Sequence, residues 1–140
     1  MALLHEQESY LIRKSVFEVY KQLGCGHKET VYQKALYQSL LKQGLTAERE
    51  KRLPVLFENT NVGNYTPDFL VNEKIILELK AKPFPINNDI KQFWQYLRGT
   101  SYKLGFLINF GTPGGAQIIR RVYETARTSF LNNSSETISA

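Results

Sequence analysis

The chain has 140 residues, 42% of them hydrophobic and 12% aromatic, which supports one core in one domain and excludes intrinsic disorder for most of the length. Eighteen Lys and Arg against 13 Asp and Glu leave a net charge of +5, which favours a polyanionic partner without demanding one. One cysteine, Cys25, and two histidines, His5 and His27, exclude an intrachain disulfide and Cys- or His-rich metal sites, leaving a hard-metal site built from carboxylates open. No apolar run approaches the roughly 20 residues of a membrane span. Glu6 and Glu8 stand where a signal peptide needs its apolar region, so a soluble, cytoplasmic protein without a membrane partner is expected.

From Glu6 to Gln22, apolar residues including Tyr10, Val16, Phe17, Val19 and Tyr20 recur at spacings of three and four, which predicts an amphipathic helix ended by Gly24-Cys25-Gly26. A second helix is predicted from about Lys28 to Gln43, with Gly44 as its stop. Three strand-like segments follow, Thr46 to Phe57, Val62 to Val71 and Lys74 to Ala81, and their short turn-prone connections predict an antiparallel meander. Lys82-Pro83-Phe84-Pro85 forbids a regular element. Asn87 or Asn88 then caps a helix running to about Arg98. Lys103 to Phe110 reads as a buried strand, and Ile118 to Tyr123 is open between strand and helical turn. The polar residues 132–140 read as a flexible tail, leaving 1–131 as the domain.

The chemistry concentrates at Pro67-Asp68 and Glu78-Leu79-Lys80. Alternation along a strand puts Glu78 and Lys80 on one face and Leu77 and Leu79 on the other. If the turn at Asn72-Glu73 closes a hairpin, position 68 falls opposite 77 or 78, beside Glu78. Two adjacent carboxylates repel unless a proton or cation intervenes, and oxygen donors suit Mg²⁺ or Mn²⁺. Such an ion polarises a phosphodiester and lowers the pKa of a water, while Lys80 orients that water or neutralises charge on the phosphate. The alternative is an exposed polar stripe with no joint role.

These words resemble the signature of the PD-(D/E)XK nuclease superfamily, and the predicted order of elements agrees with it. The resemblance implies an α/β restriction-endonuclease-like core: a mixed four-stranded sheet flanked by helices, here with an extra N-terminal helix. The chain is also similar to the GxxExxY protein family, through Gly26-His27-Lys28-Glu29-Thr30-Val31-Tyr32, Tyr32-Gln33-Lys34-Ala35-Leu36 and Leu107-Ile108-Asn109-Phe110-Gly111. By resemblance Glu29 is a third acid of the metal site. Its spacing sets it at the edge of an apolar helix face, and the alternative is a first-turn glutamate that favours the helix dipole. Tyr32 reads as a core tyrosine.

Gln92-Phe93-Trp94-Gln95-Tyr96 resembles the QxxxY motif of one branch of the superfamily, and a spacing of four puts Gln92 and Tyr96 on one helix side. The resemblance implies that Gln92 and Tyr96 meet substrate or water, the alternative being aromatic cover for the sheet. Arg120, Arg121 and Arg127, with Lys28, Lys82 and Lys91, are candidates for a phosphate-binding rim. The expected activity is Mg²⁺- or Mn²⁺-dependent hydrolysis of nucleic acid, DNA favoured over RNA, with a homodimer or protein partner supplying specificity. Rival readings are a non-catalytic nucleic-acid-binding or regulatory module on the same fold, or a partner-interaction domain.

Overall fold

The computed structural model describes residues 4–123 and 134–139. The three-and-four spacing of apolar residues is realised in α1 (Glu6–Leu23), which buries Ile12, Val16, Val19 and Tyr20, and in α2 (Glu29–Lys42), which buries Tyr32, Leu36 and Leu40. Tyr10, expected on the buried stripe, faces solvent. The chain continues through β1 (Ala47–Arg49), β2 (Leu53–Phe57), β3 (Thr60–Tyr65), β4 (Phe69–Val71) and β5 (Ile75–Lys80). It then forms α3 (Asn87–Gly99), β6 (Leu104–Asn109), β7 (Ala116–Val122) and β8 (Ser134–Ile138).

The main sheet has six strands in the order β1-β4-β5-β6-β7-β8, and β2 and β3 form a separate hairpin. Only the β5–β6 pairing is parallel, and α3 makes the crossover between them. The fold is therefore mixed α/β with helices on the sheet, as expected, but larger by two strands than the four-stranded core. Two of the three predicted segments also break. Glu50, with φ of 52°, divides Thr46 to Phe57, and Pro67, which has no N–H for a ladder, divides Val62 to Val71. The liberated β2–β3 hairpin turns through Glu58 and Asn59, both at positive φ, and leaves the main sheet.

Ile118 to Tyr123, open in the sequence, falls mainly in β7, because Ile118 and Ile119 are buried on opposite faces. Residues 134–138 correct the expectation of a flexible tail: they pair with β7 from Ala116↔Ile138 to Arg120↔Ser134. Their side chains are polar because they lie at the sheet margin. The strand is held by its backbone ladder, by Ile138 against the core and by an ion pair between Glu136 and Arg13 of α1.

The sheet separates two apolar layers. Phe69, Val71, Ile75, Leu77, Leu79, Phe106 and Ile118 face α1 and α2, while Leu70, Ile76, Leu107 and Ile119 face α3 and the β2–β3 hairpin. β5 is thus buried on both faces along most of its length, and truncating a central residue such as Leu77 to Ala should cost about 2–5 kcal/mol. Polar side chains enter β5 only at its carboxyl end, Glu78 and Lys80.

Candidate functional site

The β4–β5 hairpin pairs Phe69 with Leu77, Leu70 with Ile76 and Val71 with Ile75, so the next position outward sets Asp68 against Glu78. Two bonds fix that meeting: the Asp68 N–H donates to Glu78 Oε1 at 3.2 Å, and the Leu79 N–H donates to Asp68 Oδ2 at 2.7 Å. Regular pairing ends here, beside Pro67, which frees the Asp68 side chain to reach across to β5. By alternation from Leu70 and Ile76, the side chains of Asp68, Glu78 and Lys80 share the face covered by α3.

Glu29 approaches from the first turn of α2, but Gln33 stands between it and the strand acids. The Gln33 amide Nε2 donates to Asp68 Oδ1 at 2.9 Å and lies 3.4 Å from Glu29 Oε2. Among the described residues, no three Asp, Glu, His or Cys side chains form a group able to hold a metal ion. The tight unit is the Asp68–Glu78 pair, with Glu29 linked to it through Gln33. In the sequence Gln33 stands out only within the word Tyr32-Gln33-Lys34-Ala35-Leu36; its placement four residues after an acid was the available signal.

Burial pushes the carboxyls up. Glu78 is raised to about 8, first by desolvation and then by the charge of Asp68, against the pull of Lys80. Asp68 is raised by burial, opposed by the Leu79 N–H and by a hydrogen bond from Glu78. Glu29 is raised by burial and by the charge of Asp68. The proton therefore rests on Glu78 and is shared with Asp68, as two half-buried carboxyls in contact require.

The motif around Glu29 has a mechanical basis. Gly26 has φ of 106°, open to glycine and strained for other residues. The Tyr32 hydroxyl donates to Gly24 O at 2.6 Å and accepts from the His27 N–H at 3.2 Å. The Tyr32 ring stacks on Phe110, with centroids 4.7 Å apart. Tyr32 thus ties the loop that starts α2 to the core and sets where Glu29 enters.

Lys80 lies 3.9 Å from Asp89 Oδ1, and Lys82 lies 2.8 Å from Asp89 Oδ2. Asp89, in the first turn of α3, was not singled out in the sequence; a lone acid in a first turn carries no distinguishing signal there. Asn109, fully buried at the end of β6, accepts from the Lys82 N–H and donates to Lys82 O, both at 2.9 Å. It also accepts from the Gly111 N–H at 3.0 Å. A Cβ on Gly111 would meet the Lys82 backbone at 2.3 Å. The chain leaving Lys80 is thereby clamped to the β6 terminus.

Gln92 is exposed on α3, and no hydrogen bond joins it to the acids among the described residues. Tyr96 stacks on Tyr65 of β3, with centroids 4.3 Å apart and planes within 5°. Tyr65 is buried, its hydroxyl lacks a hydrogen-bond partner among the described residues, and its pKa is raised by burial and by the charges of Glu78 and Asp68. The proposed basic rim needs correction at Arg120. That side chain is 1% exposed on the opposite face, donating to Leu4 O at 2.7 Å. Arg121 donates to the carbonyls of Arg120 and Ser134. Arg127 lies outside the described residues.

Two adjacent half-buried carboxylates, one holding a proton that a cation can replace, fit a hard divalent ion that keeps part of its coordination for water and phosphate oxygen. No helix among the described residues is long and apolar enough to cross a membrane. The family model of the PD-(D/E)XK nuclease superfamily matches residues 6–122. No curated protein and no solved structure matches the chain. That match runs from α1 through β7 and takes in the whole acid-and-lysine hairpin, and the chain belongs to the PD-(D/E)XK nuclease superfamily.

Proposed function

We propose that this protein is a nuclease that hydrolyses phosphodiester bonds with Mg²⁺ or Mn²⁺, with DNA favoured as substrate, and that within the superfamily it belongs to the GxxExxY family. The observation that carries the reading is the meeting of Asp68 and Glu78 on one face with Lys80. A divalent cation would supply charge stabilisation on the phosphate and a more acidic water. Asp68 and Glu78 would hold it. Glu29 would act one step behind them, through Gln33. Lys80 orients the attacking water and offsets negative charge as the phosphate becomes pentacoordinate. Gln92 and Tyr96 on α3 are assigned to substrate contacts, and Lys28, Lys82 and Lys91 to the phosphate backbone.

The unit we propose is a single nuclease-like domain that includes β8. It works in the cytoplasm and takes its specificity from a second copy or a protein partner. The test is cleavage of labelled single- and double-stranded DNA and RNA in Mg²⁺, Mn²⁺ and EDTA, with Lys80→Ala as control. Metal-dependent cutting lost in the control supports the reading. Salt-sensitive binding without cutting under any metal condition would replace it with a binding module on the same fold.

A further inference from the structure

Tyr65 stands three residues before Asp68, at the end of the β3 strand that feeds the acid hairpin. Its backbone pairs with Leu53 of β2, and Tyr96 of α3 stacks on its ring with centroids 4.3 Å apart. Its hydroxyl is the exception to this order. It is buried and has no hydrogen-bond partner among the described residues. An unmet buried donor is costly, and a phenol kept in that state next to charged groups points to a partner present in another state of the site. Tyr65 packs in one cluster with Leu70 and Ile76, on the face of the sheet that Asp68 and Glu78 share, and besides burial the charges that raise its hydroxyl are those of Glu78 and then Asp68.

Glu78 is the better acceptor of the two. Asp68 already accepts at both oxygens, from Leu79 and from Gln33, whereas Glu78 accepts from the backbone at Oε1 alone among the described residues. We propose that Tyr65 is a positioning residue for the metal-holding pair: with Asp68 and Glu78 holding a divalent cation, the Tyr65 hydroxyl would donate to the Glu78 carboxylate and fix its orientation. The inference rests on the nuclease reading, since it needs a cation at the pair. Besides the substrate contact assigned to it, Tyr96 then steadies the site through its stack on Tyr65. Outer donors of this kind hold carboxylate ligands in the geometry a metal requires.

The experiment is Mn²⁺ titration by calorimetry on wild type and Tyr65→Phe, with the melting temperature of each metal-free protein measured in parallel. Tyr65→Phe removes an unmet donor and keeps the ring, so its metal-free melting temperature should equal or exceed that of wild type. Its Mn²⁺ affinity should fall about 10- to 100-fold. Unchanged Mn²⁺ affinity in Tyr65→Phe overturns the proposal and leaves the nuclease reading standing. A lowered metal-free melting temperature with unchanged affinity assigns Tyr65 to packing and overturns it equally. If wild type itself binds no Mn²⁺, the nuclease reading fails first and takes this inference with it. Should Tyr65→Phe not fold, Tyr96→Leu keeps the hydroxyl but frees the ring. Wild-type Mn²⁺ affinity there would overturn the proposal, and a weakened one supports it.

Discussion

Asp68 and Glu78 each receive a backbone N–H from the other's strand: Asp68 donates its own N–H to Glu78 Oε1 at 3.2 Å, and the N–H following Glu78, that of Leu79, returns to Asp68 Oδ2 at 2.7 Å. The exchange replaces the next rung of the β4–β5 ladder with side-chain bonds. It places two carboxyls in contact where the sheet ends, so the site is built from the same alternation and register that bury Leu77 and Leu79 on the other face. Without a cation the pair holds a proton, and that proton makes the site measurable before any substrate is known.

Glu78 is raised from an ordinary 4.5 to about 8, so between these values the folded protein keeps a proton that the unfolded chain has released. Stability from this group is complete below pH 4.5 and is lost as pH rises toward 8. The slope for one whole proton is at most about 1.4 kcal/mol per pH unit. Glu78→Gln carries a neutral amide at every pH and should lack this decline. Thermal unfolding from pH 5 to 9 should show wild type falling relative to Glu78→Gln; parallel curves would place the proton on another group.

Mn²⁺ should compete with that proton, binding more tightly as pH rises through 8 and releasing a proton on binding. A hundredfold excess over Kd stabilises a folded protein by about 2.7 kcal/mol, so the wild-type melting temperature should rise in Mn²⁺ and that of Glu78→Gln should respond far less. Asp68→Asn should fail differently. Both Asp68 oxygens accept from N–H donors, and an amide nitrogen must face one of them. This variant should lose about 1–3 kcal/mol without metal, the cost of a mispaired buried group. A metal-free Asp68→Asn as stable as wild type would count against the Gln33 and Leu79 contacts.

Lys80→Ala should lower the cleavage rate by about 10²-fold or more, the scale for one electrostatic stabiliser. Asp89 sets the rest position of Lys80 and Lys82 by lying between their ammonium groups. Asp89→Asn should leave the fold intact, since the lost pairs are partly solvated and worth about 1 kcal/mol or less. It should also shift the pH profile of cleavage, because one negative charge near Glu29 and Lys80 is gone. An unaltered profile would mean that Asp89 is remote from the reacting groups once substrate is bound.

The acids and the lysine were legible because strand alternation is local: Glu78 and Lys80 share a face whatever the rest of the chain does, and a short turn at Asn72 fixes the partner of Asp68 within one residue. The three helices were legible from periodicity for the same reason. β8 was not, since Ser134 and Ser135 carry no apolar pattern and join the sheet through backbone bonds that β7 supplies. The departure of β2–β3 was hidden as well. It depends on Glu50 adopting φ of 52°, a conformation that glycine or asparagine announces and glutamate does not. Arg120 was misplaced because an arginine in an unassigned segment reads as surface, whereas β7 turns it beneath α1, over the Phe106 ring. Gln33, Asp89, Asn109 and Tyr65 share one cause: each acts through a partner distant in sequence, Asp68, Lys80, Lys82 and Glu78 in turn.

The corrected basic surface yields a last prediction. Lys82 is bound to Asp89 at 2.8 Å and sits two residues past Lys80, so a phosphate strand reaching the acids can draw it away from Asp89. Binding of a DNA duplex in Ca²⁺, which suppresses turnover, should weaken linearly in log salt, with a slope of about −0.9 for each phosphate contact. Lys82→Ala should weaken binding across sequences and reduce that slope by about 1. Arg120→Met should behave in the opposite way. The Arg120 guanidinium is buried, bonded to Leu4 O, and held on the face away from the acids, so the salt slope should stay at the wild-type value. The loss should appear in stability, because the Leu4 carbonyl gives up a bond from a charged donor worth about 1.5–3 kcal/mol. A salt slope reduced by Arg120→Met and untouched by Lys82→Ala would move the nucleic-acid interface to the α1 face of the sheet and separate it from Asp68 and Glu78.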